Sequence, residues 1–311
     1  MTDWRIKIDS TIEHEPQNRP SQTVGLIGVG LMGTALAERL MGAGHDVCGW
    51  DLVPDRCHVL NLPRGTIASG IAEVMANCHR VVLSLPSHVA VAEVLESAES
   101  VLRGGQIIID MSTGDPNAAV TQSVSLSQRG IEYVDATVSG SSEQLRNGQA
   151  VILVGATAAG YRNCEDLFRC LAEKTFHTGV PGSGARTKLV TNLVLGLNRA
   201  ALAEGLCFAR HLDMDLDKTL QILRESMSYS RIMDTKGEKM LRGDFTPQAR
   251  LSQHLKDVQL ILSAAGTESY LPLTETHRML LERAEQMGLG QLDNSAIVAA
   301  IAAGRREADA E

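Results

Sequence analysis

Residues 24–33, Val24-Gly25-Leu26-Ile27-Gly28-Val29-Gly30-Leu31-Met32-Gly33, run from an apolar strand pattern straight into glycines spaced GxGxxG. Thr34 to Ala43 follows as a helical pattern closed by Gly44, and Asp46-Val47-Cys48-Gly49-Trp50 gives a second strand ending at Asp51. Three glycines arise by chance in a chain that holds 28 of them, so the glycines alone decide nothing. The strand before, the helix after and the acidic residue 21 positions past Gly30 make the pattern specific. Each glycine has its own task. Gly28 permits a tight turn, Gly30 lets backbone approach a pyrophosphate, and Gly33 lets the helix pack on the strand, while the first helical N–H groups face the anion. This βαβ unit is expected to hold a dinucleotide. Asp51 can accept hydrogen bonds from both hydroxyls of an adenosine ribose and repels a 2′-phosphate, which favours NAD over NADP. Against that stand the nearby Arg56, able to neutralise a phosphate, and the plainer role of Asp51 as a cap at the strand end.

Further apolar runs recur at Arg80 to Leu85, Gln106 to Asp110, Ile131 to Asp135 and Ala150 to Gly155, separated by helical stretches such as Val89 to Leu102, Asn117 to Arg129 and Tyr161 to Lys174. Such alternation predicts an α/β, Rossmann-type doubly wound parallel sheet. After a turn-rich Thr178 to Gly184 the strand signals stop. Ala185 to His211 reads as one proline-free apolar-periodic helix of roughly 40 Å, long enough to join two domains. Helical stretches follow near 215–228, 230–241, 250–266, 272–288 and 292–303. The expected organisation is a polar N-terminal extension over 1–22, a dinucleotide-binding domain over 23–183, and an all-α substrate and oligomerisation domain over 184–311.

The 311 residues suffice for about two domains, each with a core. A net charge of -8, no dense basic cluster and only ten aromatic residues argue against nucleic acid as a partner. The longest apolar stretches, such as Ala296 to Ala303, are far short of the ~20 residues a membrane helix needs. Six cysteines without a CxxC pair or a dense framework read as reduced, buried thiols, and residues 1–22 lack an apolar signal region; a cytoplasmic protein is expected. The nine histidines show no HxH or HxxxH spacing and read as dispersed core or surface residues, so no metal site is expected. No GxSxG elbow supports acyl transfer.

Four later segments, together with the glycine-rich opening, resemble the β-hydroxyacid dehydrogenase family, which includes 3-hydroxyisobutyrate dehydrogenase and the tartronate-semialdehyde and glyoxylate reductases. The resemblance runs from about Val24 to Gly304. It implies that Gly28, Gly30, Leu31, Met32, Gly33 and Asp51 bind the cofactor, that Leu85-Pro86 is a cofactor loop, and that Thr113, in Asp110-Met111-Ser112-Thr113-Gly114-Asp115-Pro116, lies near the nicotinamide. Asp135-Ala136-Thr137-Val138-Ser139-Gly140 looks like the family's substrate loop, which implies that Ser139, Gly140 and Ser141 receive the acid group. Gly182-Ser183-Gly184-Ala185-Arg186-Thr187-Lys188-Leu189-Val190-Thr191-Asn192 resembles the GxGxxxKxxNN helix. Lys188 and Asn192, four apart, share one helical face. The resemblance makes Lys188 the general acid and base and gives Asn192 a role in positioning substrate. Lys256, in Leu255-Lys256-Asp257-Val258, resembles the KDL lysine that reaches over cofactor and substrate. Independently of the family, hydride transfer at an alcohol carbon needs a group that exchanges a proton with its oxygen.

This sequence departs from the pattern at several positions. Thr137 replaces the proline of DAPVSG, Ser141 replaces a glycine, Ser142-Glu143-Gln144-Leu145-Arg146 replaces a small, Gly-rich run, and Thr191 replaces the first asparagine. Glu143 and Gln144 are expected to change the polarity beside the substrate loop. The reading is an NAD(P)-dependent oxidoreductase interconverting a small β-hydroxy acid and its semialdehyde or keto acid, assembled as a homodimer or homotetramer. Two rivals, an imine reductase and a non-catalytic dinucleotide-binding scaffold, are disfavoured by Lys188.

Overall fold

The computed structural model describes residues 23–304; the extension expected over 1–22 lies outside them. Eight strands form one sheet: β1 (Val24–Ile27), β2 (Val47–Trp50), β3 (Gly65–Ile67), β4 (Arg80–Leu83), β5 (Ile107–Asp110), β6 (Glu132–Ser139), β7 (Val151–Gly155) and β8 (Lys174–Gly179), in the order β3-β2-β1-β4-β5-β6-β7-β8. The first six are parallel, with β1 central between β2 and β4. The chain reverses order on either side of β1, the arrangement that opens a crevice at the strands' C-terminal ends.

The sheet is not wholly parallel as the alternation implied. β7 pairs antiparallel with β6, and β8 pairs parallel with β7. A short helix, α5 (Ser142–Arg146), and Asn147 to Ala150 are too little chain for a parallel crossover, which takes a dozen residues or more. The turn-rich reading of Thr178 to Gly184 also shifts, because β8 extends to Gly179.

Helices cover both faces. α1 (Leu31–Gly42), α5 and α6 (Ala158–Leu171) bury Leu36, Leu40, Leu145 and Phe168 in one core, while α2 (Ile71–Asn77), α3 (His88–Ser97) and α4 (Pro116–Ser127) bury Val74, Val91, Leu95 and Leu126 in the other. Strands buried on both faces explain their near-continuous apolar runs.

The long helix α7 spans Ser183–His211, 29 residues. Its N-terminal part packs on β6, β7 and β8, and its C-terminal part enters a third core formed with α8 (Leu216–Glu225), α9 (Ile232–Arg242), α10 (Leu251–Ala265), α11 (Pro272–Gln286) and α12 (Ile297–Ala303). α12 is shorter than the helix expected near 292–303, because Asn294–Ala296 form a 3-10 turn capped by Asp293. No helix among the described residues is long and apolar enough to cross a membrane.

Candidate active site

Gly28 has φ +94, and a side-chain carbon there would run into the Ser84 carbonyl; one on Gly33 would run into the Gly28 carbonyl. Both glycines are thus required by backbone contacts alone. Gly30 differs, since no atom lies within 4 Å of where its side chain would start. Gly30 is also the residue at which α1 begins, without a side-chain cap and with no acidic residue in the first turn. A turn that keeps open space beside uncapped helical N–H groups fits a pyrophosphate. Leu31 is exposed at this end, and Met32 is partly buried against the first core.

Asp51 is buried at the end of β2. Its Oδ2 accepts the Val29 N–H at 2.7 Å, its Oδ1 accepts the Val53 N–H at 2.8 Å, and Arg56 lies 3.4 Å from Oδ1. The carboxylate therefore ties the glycine-rich turn to the end of β2. Both sequence-level roles, strand-end cap and candidate ribose acceptor, fall on one side chain.

Two further loops meet at the same edge. The Leu85 N–H donates to Ser112 Oγ at 2.9 Å, and the Ser112 N–H donates to Asp110 Oδ1 at 2.9 Å. Tyr133 donates to the other Asp110 oxygen at 2.7 Å. Across from them, Lys256 on α10 donates to the Pro86 and Thr113 carbonyls, each at 2.9 Å. Pro86, Thr113 and Lys256, separated by up to 170 positions, form one wall, with Leu85 adjoining Pro86.

α7 is aimed by a residue the sequence reading did not single out for a role. Gly182, at φ +92, turns the chain, and Asp135 in β6 accepts the Gly182 N–H at 2.9 Å and the Ala185 N–H at 2.7 Å. A buried carboxylate at a helix N-terminus satisfies donors that have no intrahelical partner. Burial pushes Asp135 up to about 7, although these two N–H groups pull the other way. The first residue of the DAPVSG-like stretch was the available signal. Thr137, in place of proline, donates to the Gly184 carbonyl at 3.3 Å and adds a second tie between β6 and α7.

One turn into α7, Lys188 is 6% exposed, and its ammonium has no hydrogen-bond or ion-pair partner among the described residues. Burial pulls its ammonium down to about 8; Asp257 opposes the shift, while Arg199 and Lys256 add to it. Asn192 donates to Asp257 Oδ2 at 3.0 Å, and Asp257 Oδ1 lies 3.4 Å from Lys256. Asn192, Asp257 and Lys256 therefore form a chain beside Lys188. Burial also pushes the Asp257 carboxyl up, against the pull of Lys256 and Lys188. Thr191, the departure from the asparagine pair, donates to the Lys188 carbonyl at 3.0 Å and so serves the helix.

Ser139 ends β6, Gly140 follows at φ +152, and Ser141 caps α5. The Ser141 N–H donates to Gln144 Oε1 at 2.8 Å, and Ser141 Oγ accepts the Gln144 N–H at 3.2 Å. This reciprocal cap occupies the Ser141 N–H and leaves its hydroxyl proton for another partner, while Ser139 pairs with Val151 at the end of the sheet ladder. The expected change of polarity beside the loop is corrected by the same geometry. Gln144 is turned into the cap, Glu143 pairs with Gln248, and Arg146 pairs with Glu38 at 2.6 Å.

The dispersed-histidine reading also fails at two positions. His254 on α10 and His277 on α11 are buried together, ring centroids 5.2 Å apart, over Gly196 of α7. Linear spacing carried no sign of this pair, which arises from three helices. No group of three His, Cys, Asp or Glu side chains suited to a metal occurs among the described residues.

Residues 23–179 match the family described as the NAD binding domain of 6-phosphogluconate dehydrogenase, and residues 182–301 match the NAD-binding family of NADP-dependent 3-hydroxyisobutyrate dehydrogenase. The chain is 30% identical to 2-(hydroxymethyl)glutarate dehydrogenase of Eubacterium barkeri, over 88% of this chain and 93% of that one. It is 29% identical to glyoxylate/succinic semialdehyde reductase 1 of Arabidopsis thaliana, over 89% and 98%. Its fold superimposes on 3-hydroxyisobutyrate dehydrogenase of Salmonella typhimurium with a TM-score of 0.82 at 24% identity, covering 89% of this chain and 99% of that one. The two matched regions meet at α7, where the buried lysine lies, and the chain belongs to the β-hydroxyacid dehydrogenase family.

Proposed function

We propose that this NAD(P)-dependent oxidoreductase interconverts a small β-hydroxy acid and its semialdehyde or keto acid, with Lys188 as the catalytic proton carrier. The observation that carries the reading is a buried lysine whose ammonium has no hydrogen-bond partner among the described residues and is drawn down to about 8, beside a wall built from Pro86, Thr113 and Lys256. Such a lysine exchanges protons near neutral pH, as a group working in both directions must. Gly28, Gly30 and Gly33 would hold the pyrophosphate of the dinucleotide, Asp51 the adenosine ribose, and Leu85-Pro86 and Thr113 the nicotinamide side. When bound, the nicotinamide supplies the hydride acceptor or donor. In oxidation, neutral Lys188 Nζ takes the hydroxyl proton as the substrate carbon gives up its hydride. In reduction, the Lys188 ammonium returns a proton to the carbonyl oxygen. Ser139 and Gly140 receive the substrate's acid group, Ser141 adds its hydroxyl, and Asn192, braced by Asp257, orients the reacting oxygen.

NAD is preferred in this reading, because a buried Asp51 carboxylate next to the ribose site repels a 2′-phosphate. Exposed Val190, Val194 and Phe208 share the face of α7 opposite Lys188, which supports a homodimer or homotetramer covering that face; light scattering reading a monomer at micromolar concentration overturns it. Free cysteines at all six positions suit a cytoplasmic setting.

The deciding experiment pairs fluorescence titration of NADH and NADPH with turnover of 3-hydroxyisobutyrate, 2-(hydroxymethyl)glutarate and succinic semialdehyde. Saturable binding with turnover of any of these supports the reading. Binding of both cofactors without any turnover removes it, and tighter NADPH binding removes the role given to Asp51.

A further inference from the structure

Arg199 lies eleven residues past Lys188 on α7, about three turns on, and so on the same face. It is 2% exposed, its Nε and Nη1 are sealed from solvent without a partner, and its guanidinium has no hydrogen bond or ion pair within contact distance among the described residues. A buried guanidinium left unpaired is costly, and a native fold retains one where something uses it.

Asp293 and Asp257 act on its charge from nearby, but neither carboxylate hydrogen-bonds it. Four cationic side chains lie at the base of the site, Lys188, Arg199, Lys236 and Lys256, against two carboxylates, Asp257 and Asp293. Asp293 accepts Lys236 on both oxygens at 2.9 Å and also the N–H groups of Gln248, Ala249 and Ser295. Asp257 is engaged by Asn192 and Lys256. Lys188 and Arg199 are the surplus.

Arg199 lies within electrostatic reach of Lys188, one way along α7, and of His254 and His277, which face the same helix. Gly196 is a glycine for a visible reason: a side-chain carbon there would sit 2.6 Å from His254 Nε2 and 2.5 Å from His277 Cε1. The two rings close over that gap, and each has an unpartnered, buried Nε2. Burial lowers both, His277 to about 4 and His254 well below the ordinary imidazole range, with Arg199 adding to each shift, so both rings are neutral and able to donate one N–H. A planar guanidinium with imidazole donors beside it is the fork that matches a carboxylate.

We propose that Arg199, flanked by His254 and His277, forms a second anion subsite continuous with Lys188, and that the substrate is a β-hydroxy acid or semialdehyde carrying a second carboxylate. This rests on the reading of Lys188 as the reacting centre. The first carboxylate is received at Ser139-Gly140, and the second meets Arg199.

The test compares 2-(hydroxymethyl)glutarate with 3-hydroxyisobutyrate, which share the reacting centre and differ by one added CH2COO− arm. The wild type turns over the diacid with the higher kcat/KM, and in Arg199→Met the ratio of diacid to monoacid kcat/KM falls about 100-fold, mainly through KM for the diacid. Arg199→Lys keeps the charge without the fork and gives an intermediate ratio. A second arm needs no turnover: glutarate, but not butyrate, raises the Tm of the wild type, and Arg199→Met abolishes that rise. A Tm response to glutarate that is absent, or unchanged in Arg199→Met, overturns the subsite, as does a selectivity ratio that the variants leave intact. An Arg199-dependent glutarate response without turnover of either substrate leaves the subsite standing and removes the assignment of Lys188.

Discussion

At the glycine-rich turn the chain offers backbone and space, whereas beneath α7 it offers buried side chains. Gly28 and Gly33 are locked by carbonyl contacts, Gly30 is open, and the nearby carboxylate of Asp51 is satisfied by two backbone N–H groups. Under α7 unsatisfied polar atoms gather: Arg199 Nε and Nη1 and the Nε2 atoms of His254 and His277 are buried without a partner, within electrostatic reach of the Lys188 ammonium. A cofactor half common to many substrates can be built from backbone, which holds a constant pyrophosphate. A substrate half must place charge and donors against a particular molecule, and it does so by leaving side chains unpaired in a dry interior.

That contrast is most sharply broken at Lys188. Lys188→Met is expected to lower turnover by about 10²–10⁴-fold in steady-state assays. The same variant retains the wild-type Tm at pH 7 or exceeds it, because holding this ammonium at about 8 against an ordinary 10.5 corresponds to about 3 kcal/mol. A Tm that drops along with activity would place Lys188 among the structural groups.

The glycines separate next. Gly30→Val weakens cofactor binding by about tenfold or more, read by NADH fluorescence titration, yet leaves stability within about 1 kcal/mol, since nothing adjoins that position. Gly28→Ala costs about 1–3 kcal/mol in denaturant unfolding, because it combines a positive φ with a clash against Ser84. Equal stability losses at the two positions would erase the distinction between open space and backbone contact.

The smallest effect is in the pH profile. With Lys188 near 8, kcat for oxidation rises with pH and levels above about 8, as the base becomes neutral; reduction falls over the same interval. The stability linkage has its own sign. Between about 8 and 10.5 the unfolded lysine binds more protons than the folded one, so the contribution of Lys188 to stability rises with pH across that window and is flat below it. Lys188→Met is expected to remove both slopes.

The strand-turn-helix-strand order, the Lys188 and Asn192 pair and the all-helical second half were legible because each is written in neighbouring residues: alternation, glycine spacing and a four-residue interval depend on local geometry. The loop departures were misread for a related reason. Glu143, Gln144 and Arg146 are visible in sequence as polar groups, but their partners Gln248, Ser141 and Glu38 are not, and two of those three lie about a hundred residues away.

By itself, the sequence determined that a dinucleotide-binding βαβ unit leads into a helix carrying a lysine and an asparagine on one face, which is enough for the family and the reaction class. Tertiary structure alone decided that β7 reverses direction, that Asp135 aims α7, that Lys256 bridges Pro86 and Thr113, and that Arg199 comes near two histidines with its Nε and Nη1 unbonded. Those contacts join residues from 12 to 170 positions apart, and pairing at such separations is set by packing rather than by any periodicity along the chain.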